Sequence, residues 1–415
     1  MVRGSIKQLI NLLFTFCFLF LSPIVFAQHG TGSSTEHAVV SEGVKDNEPY
    51  PTDTTNGLVA SPDAHVGHDG HKAEFDPGNM ITEHISDAHD WHLFGHTHVP
   101  LPVILYTDKG FEVFSSSHFK NHENHQLQDY TGTNYTYRLE NEEVKILTDG
   151  IVNETATGSL YDISITKNVL SLFIVAVLML LVFTSVAKSY TKRTGMAPRG
   201  LQSIIEPIII FVRDDVAKPS IGKKYERFMP YLLSVFFFIW ISNLLGLIPF
   251  LPGGANLTGN IAVTLTLAVL TFIITTIKGN KHYWRHIFAM PGVPTWVLFL
   301  LTPIEILGMF LRPFVLMIRL FANITAGHII ALAFFSLIFI FGNGGESVGA
   351  GIGVGIASWA FTVFMMALEL LVAFLQAYVF TLLSAIYFGS AVEEHHHEHH
   401  DESGIHPDPE LQSIV

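Results

Sequence analysis

Of the 415 residues, 49% are hydrophobic and only 14% charged, and the mean hydropathy is positive. That balance excludes an ordinary soluble domain, and several stretches exceed the ~20 residues that a spanning helix needs, so the sequence is that of an integral membrane protein. The net charge of -13 resides largely in the two tails, and no basic patch interleaves with aromatic residues, which speaks against nucleic-acid binding.

Residues 1–27 place Arg3 and Lys7 before an apolar core and Val25-Phe26-Ala27 after it. That is the order of a secretory signal cut after Ala27, with an uncleaved first span as the alternative. The single cysteine, Cys17, falls inside this segment, so the mature chain carries no thiol chemistry. Residues 28–85 are rich in Gly, Ser, Thr, Asp and His and poor in large apolar side chains, a composition expected to be disordered. Residues 86–160 differ. "PVILYTDKGFEVFSS" is two β-prone runs around Asp108-Lys109-Gly110, a hairpin signal, and "NYTYRLENEEVKIL" offers further strand. A small β-rich extracytoplasmic region is expected there.

Apolar segments follow at roughly 167–187, 229–250, 261–278, 296–341 and 352–390. The loop after the first is strongly basic, from Lys188 to Arg227, and the loop after the third carries Lys278, Lys281 and Arg285. The intervening connections are nearly uncharged. The positive-inside rule therefore puts the basic loops and the C-terminus in the cytoplasm and the N-terminal region outside. Within the first basic loop, Leu201, Ile204, Ile205, Ile208 and Phe211 recur at helical spacing, the pattern of a helix lying on the membrane surface.

The fourth segment, 46 residues from Trp296 to Phe341, would be about 69 Å long as a helix, roughly twice the thickness of the hydrocarbon core. Pro303 and Pro313 are candidate break points, so a short piece and then a long tilted helix from about 314 to 341 are expected, with the fifth segment as antiparallel partner. The fold class that results is an all-α integral membrane protein of five spanning segments, ending in a long tilted helical hairpin, with the β-rich region outside.

Charges inside these spans are costly and by default functional. Arg312, near the expected break, is explained by snorkelling to the interface. Arg319 lies two turns deeper. Asn323 follows it at i+4 on the same face, and His328 lies about 13.5 Å further along; on the fifth segment Glu369 and Gln376 share a face about 10.5 Å apart. In an antiparallel pair with Arg319 level with Gln376, His328 falls near the level of Glu369. A permanent cation with amides is then flanked by a titratable pair. His and Glu exchange protons when partly buried, whereas a guanidinium does not deprotonate and so interrupts a proton wire.

"IRLFANITAGH" (318–328) together with "ELLVAFLQAYVFTLLSAIYF" (369–388) resembles subunit a of the F-type ATP synthase, and "ITKN", "GLQSIIEPIIIFVRDDV" and "NLLGLIPF" are similar too. The resemblance covers residues 161–392. It implies a proton-translocating stator subunit of a bacterial inner membrane, working against a ring of c subunits and alongside b-type peripheral stalk subunits. It implies that Arg319 faces the ring's essential carboxylate, that Asn323 and Gln376 support it, and that His328, Glu369 and Glu305 line an outer half-channel. No cofactor, no metal and no small-molecule substrate other than the transported proton is implied, and the subunit is not itself an enzyme. Proton or sodium coupling is left open.

The sequence has no GxxxxGK(S/T), so a P-loop is not expected. Thirteen histidines between His29 and His125 and the tail at 393–415 ("EEHHHEHHDE" within it) suggest either metal capture or solvated, pH-sensitive segments, and spaced histidines without fixed geometry favour the second. The competing functional class is a metal-ion transporter with His-rich loops; it requires converging ligands within the spans, where an uncompensated Arg319 repels a divalent ion. "GAGIGVG" (349–355) lacks a preceding strand and suits close helix packing. Asn256 and Asn260 either line the outer path or cap the third span.

Overall fold

The computed structural model describes residues 87–94, 97–120, 127–248, 254–290, 292–341 and 348–393. The expected signal sequence at residues 1–27, the His-rich segment 28–85 and the tail from residue 394 lie outside the described residues. Two compact units result. One holds Ser171–Ile324 and the chain from Leu370; the other holds the described residues up to Leu170 together with Thr325–Glu369.

The N-terminal region is β-rich. Strands β1 (Asp90–Phe94) and β2 (Thr97–Pro100) pair antiparallel; β3 (Pro102–Thr107) lies between β4 (Gly110–Ser115) and β9 (Tyr161–Asp162); β5 (Tyr130–Thr131), β6 (Thr136–Glu140), β7 (Glu143–Thr148) and β8 (Ile151–Val152) form a four-stranded meander. The hairpin expected at Asp108-Lys109 is the β3–β4 turn, with Thr107 opposite Gly110. The β6–β7 turn uses Asn141 and Glu142, both at positive φ (51° and 64°), a two-residue turn whose twist suits the flanking strands. Alternation buries Val103, Leu105 and Phe114 from one hairpin against Tyr137, Leu139 and Ile146 from the other.

This region grips the start of helix α1 (Lys167–Lys192). Asp87 accepts hydrogen bonds from Asn168 N (3.0 Å) and Thr166 Oγ1 (2.9 Å), and Ala88 O accepts one from Lys167 N (2.9 Å). A carboxylate so placed satisfies orphan N–H groups and complements the positive end of the helix. Beside it His89 is buried, with Nε2 3.1 Å from Asp162 Oδ2, its backbone N–H donating to Glu142 Oε2 (3.2 Å), and Nδ1 at ion-pair distance from the same oxygen (3.9 Å). Burial alone would lower the imidazole pKa, but the two carboxylates outweigh it and push it up to about 10. Burial likewise opposes ionisation of Asp162, yet His89 and Ser164 hold its carboxyl below the usual range.

Among the described residues five helices are long and apolar enough to cross a membrane. After α1 come α2 (Leu201–Phe211), a π-helical stretch (Val212–Ala217), a turn at Lys218–Ile221, α3 (Tyr225–Gly246), α4 (Ile261–Lys278), α5 (Lys281–Phe288), α6 (Thr295–Phe341) and α7 (Val348–Val392). The helix expected from the spacing of Leu201 to Phe211 is α2, which leaves Leu201 and Ile204 exposed. Gly222 (φ 72°) ends the run so that α3 starts in a new direction. Helix α3 is apolar all round and is the most enclosed span, with Phe237 against Phe183 of α1 and Phe236 against Phe374 of α7.

The fourth segment is not broken. Pro303 and Pro313 both lie inside α6, which runs 47 residues without interruption. Each proline removes one backbone hydrogen bond, a loss that a long helix tolerates where neighbouring groups re-satisfy the carbonyl it leaves unpaired. The glycines at 349–355 lie inside α7. Asn256 and Asn260 act as caps: Asn256 accepts from Gly259 N (3.0 Å) and Asn260 from Ala262 N (2.9 Å).

Candidate functional site: the α6–α7 hairpin

Within the first unit α6 and α7 run antiparallel. Met309 packs in one cluster with Ala391, and the Arg312 guanidinium lies 5.6 Å from the centre of the Tyr387 ring. Seven residues on, Arg319 comes level with the turn from Gln376 to Phe380, since two turns of helix advance about 10.5 Å on each partner. Arg319 and Asn323 are exposed on one face of α6, with the small residues Ala322 and Ala326 beside them. Among the described residues Arg319 makes no ion pair and no hydrogen bond. Gln376 is buried.

What holds Gln376 in place was not legible in the sequence. Asn243 of α3 donates through Nδ2 to the carbonyl of Ala373 (3.3 Å), one turn before Gln376, and Thr258 Oγ1 donates to Asn243 Oδ1, which fixes the amide's orientation. All three groups are buried. A buried amide with both ends engaged sets the rotation of α7 about its own axis.

In the second unit the same two helices are antiparallel as well. The rings of Phe334 and Phe361 lie tilted with their centres 4.1 Å apart, and Gly327 lies against the Glu369 side chain. His328, the next residue after Gly327, is half-buried. Among the described residues Glu369 Oε1 is buried without a hydrogen-bond partner, as are Thr325 Oγ1 and Thr362 Oγ1 nearby in sequence on the two helices. A polar stripe thus runs inside the hairpin where apolar packing alone would be cheaper. Glu305 sits a full four turns before Arg319 on α6, half-buried; its electrostatic neighbour is Tyr283. Among the described residues no three His, Cys, Asp or Glu side chains gather as metal ligands.

Residues 169–389 match the family described as "ATP synthase A chain", and residues 80–166 match a "Domain of unknown function (DUF8433)". A protein named ATP synthase subunit a 2 from Chlorobaculum tepidum is 47% identical over 247 residues, which is 58% of this chain and 66% of that relative. ATP synthase subunit a from Chloroherpeton thalassium is 42% identical over 252 residues (59% and 71%), and that from Myxococcus xanthus is 39% identical over 276 residues (65% and 82%). With the family's match covering more than half of the sequence and its arginine-bearing hairpin assembled as described, the chain belongs to the ATP synthase A chain family.

Proposed function

We propose that this chain is the proton-translocating stator subunit of a bacterial F-type ATP synthase and that its α6–α7 hairpin separates two half-channels against a ring of c subunits. The observation that carries the reading is Arg319: a guanidinium exposed on the face of a long apolar helix, with no ion pair and no hydrogen bond among the described residues and with the small side chains of Ala322 and Ala326 following it. Such a cation needs an anion from outside the chain. A ring carboxylate passing it must lose its proton, because a neighbouring cation favours the ionised form. Asn323, on the same face, and Gln376, across the hairpin, are assigned to supporting that encounter.

The outer half-channel is assigned to His328 and Glu369. Glu369 carries a carboxyl oxygen with no hydrogen-bond partner among the described residues, so it is available to take up a proton and hand it on. Glu305 is assigned to the path on the strength of the family resemblance alone. The basic loops are placed in the cytoplasm, the β-rich region outside, the protein in the inner membrane after removal of residues 1–27, and b-type stalk subunits beside it. Each proton crossing 100 mV releases about 2.3 kcal/mol, so several must pass for each ATP made elsewhere in the complex.

The test is proton flux and ATP synthesis in sealed vesicles bearing the assembled complex with Arg319→Ala. Coupled synthesis is expected to vanish while the complex stays assembled, and Arg319→Lys is expected to restore little, since an ammonium is a point charge that releases its proton more readily when desolvated. Normal synthesis by the alanine variant overturns the assignment.

A further inference from the structure

The β-rich region turns two unlike faces outward. On the four-stranded sheet the outward side chains include paired charges, Arg138 with Asp129 (2.7 Å) and Lys145 with Glu140 (2.8 Å). On the sheet of β4, β3 and β9 they are apolar. Phe111 is 69% exposed and Val113 64%; the ring of Tyr106 lies 4.7 Å from that of Phe111 and 6.3 Å from that of Tyr161 on β9. The charges at the β3–β4 turn lean toward the β5–β6 turn: Lys109 Nζ donates to Asn134 O (3.0 Å) and Asp108 accepts from the Tyr135 hydroxyl (2.9 Å). Glu112, between Phe111 and Val113, points inward and accepts from the Tyr137 hydroxyl (2.7 Å).

The chain that leaves this sheet is built inside out. Asp162, Ser164 and Thr166 are buried, engaged by His89 (3.1 Å), by Ile104 N (3.0 Å) and by Asp87 (2.9 Å) respectively. Alternation then puts Tyr161, Ile163 and Ile165 on the outward face, where they are exposed or half-buried. A sheet that faces water carries the reverse order. The stretch stays paired with β3, Ile163 N donating to Ile104 O (2.8 Å) and Ile165 N to Pro102 O (3.1 Å), and enters α1 at Lys167 within the same unit. The chain from Tyr161 to Lys167 extends at most about 20 Å, so the aromatic patch begins no farther than that from the first turn of α1.

We infer that this sheet lies on the bilayer surface, with Tyr106, Phe111, Val113 and Tyr161 set among the lipid headgroups beside the point where α1 enters the membrane. A contiguous uncharged patch marks an interaction surface, and what this one meets follows from what it joins. The stripe of Tyr161, Ile163 and Ile165 runs from the patch to the start of a spanning helix, whose surroundings are lipid. Tyrosine suits the headgroup layer because its ring is apolar and its hydroxyl stays wet. The paired charges of the other sheet then face water. The inference needs only that α1 crosses a membrane, and it stands apart from the assignment of the proton path.

The test uses the full chain with Cys17→Ser, which removes its single cysteine, reconstituted in vesicles of phosphatidylcholine and phosphatidylglycerol. A nitroxide is attached at Phe111→Cys, at Val113→Cys or, on the charged sheet, at Lys145→Cys. Its relaxation is measured with molecular oxygen, which concentrates in lipid, and with a neutral nickel chelate, which stays in water. Oxygen is expected to be the stronger relaxant at 111 and 113, and the chelate at 145. In the chain labelled at 113, Phe111→Asp is expected to raise the chelate's effect toward that at 145, since losing one buried phenylalanine shifts a docking equilibrium by about tenfold or more. The label at 113 otherwise leaves Phe111 in place, so it decides the matter should Phe111→Cys fail to fold. Dominance of the chelate at 111 and 113 puts the face in water and overturns the proposal, and exclusion of both reagents puts it against protein and overturns it equally. Oxygen dominating at 145 as well, or an unchanged signal at 113 in Phe111→Asp, also overturns it.

Discussion

A β-carbon added to Gly327 would stand 2.7 Å from Glu369 Oε1, closer than side-chain carbons are found to polar atoms. The glycine is what allows the carboxyl to lie between the helices at this level. Gly327→Ala is therefore expected to displace the carboxyl rather than to unfold the chain, because the group that must move is the end of a flexible side chain. A misplacement near 1 Å is worth about a hundredfold in a positioned proton transfer, so flux is expected to drop by at least about tenfold with assembly intact. Adding Glu369→Asp, one methylene shorter, should recover part of the loss. Unchanged flux in Gly327→Ala vesicles means that the carboxyl position does not matter.

His328 follows Gly327 directly, so the pair His328 and Glu369 is open to an exchange test. His328→Ala and Glu369→Ala are each expected to slow proton entry from the outer side. The exchanged protein, with His328→Glu and Glu369→His together, keeps both groups at nearly the same place and should outperform either single alanine. The coupling energy from a double-mutant cycle on flux is the deciding quantity, since it isolates the pairwise contribution. Strictly additive losses would place the two residues on separate paths.

Gly389 gives a prediction about stability instead. Near the end of α7 it faces the backbone carbonyl of Ser220, and a methyl group there would run into that oxygen. Backbone cannot yield as a carboxyl can. Gly389→Ala is expected to cost about 2 kcal/mol, within the usual range for overpacking, and to lower the unfolding midpoint in detergent while leaving the residues of the Arg319 level untouched. A midpoint equal to that of the parent chain would show that α7 stands further from Ser220.

The buried His89 gives a pH dependence for the β-rich region. Its pKa in the folded chain, about 10, lies above the ordinary value of 6.5. Its contribution to stability is therefore complete below about pH 6.5 and is lost as pH rises toward 10. Amide protection at the start of α1 should weaken over that window in the parent chain and show less dependence in His89→Gln. Identical pH profiles for the two chains would remove His89 from the account.

Much of this architecture is written locally. The five apolar runs, the helix at Leu201–Phe211 and the Asp108-Lys109 turn all follow from patterns within about twenty residues, and the structure contains each of them. What depends on distant partners was not readable. Asp87 caps a helix that begins 80 residues later, and Asn243 acts through a carbonyl 130 residues away. The prolines misled for a related reason: a sequence shows the hydrogen bond that Pro313 removes but not that α6 continues through it. At the hairpin, Arg319 and Glu369 announce themselves by charge in an apolar run, whereas Gly327, Thr325 and Thr362 carry no such mark. A glycine next to a spanning histidine was the available signal of close approach.

Asn280 takes hold of the last turn of α7 with two groups at once, its N–H on Ala391 O (2.9 Å) and its side-chain amide on Glu393 O (2.6 Å), while its own oxygen caps α5. A helix end is where unwinding starts, because its last carbonyls have no partner within the helix. Here those carbonyls belong, mechanically, to another helix. Where the end of a long helix is pulled sideways, a joint of this kind loads two hydrogen bonds together instead of leaving each to give way alone. The end of α7 is thereby tied to the start of α5 by two bonds from a single residue.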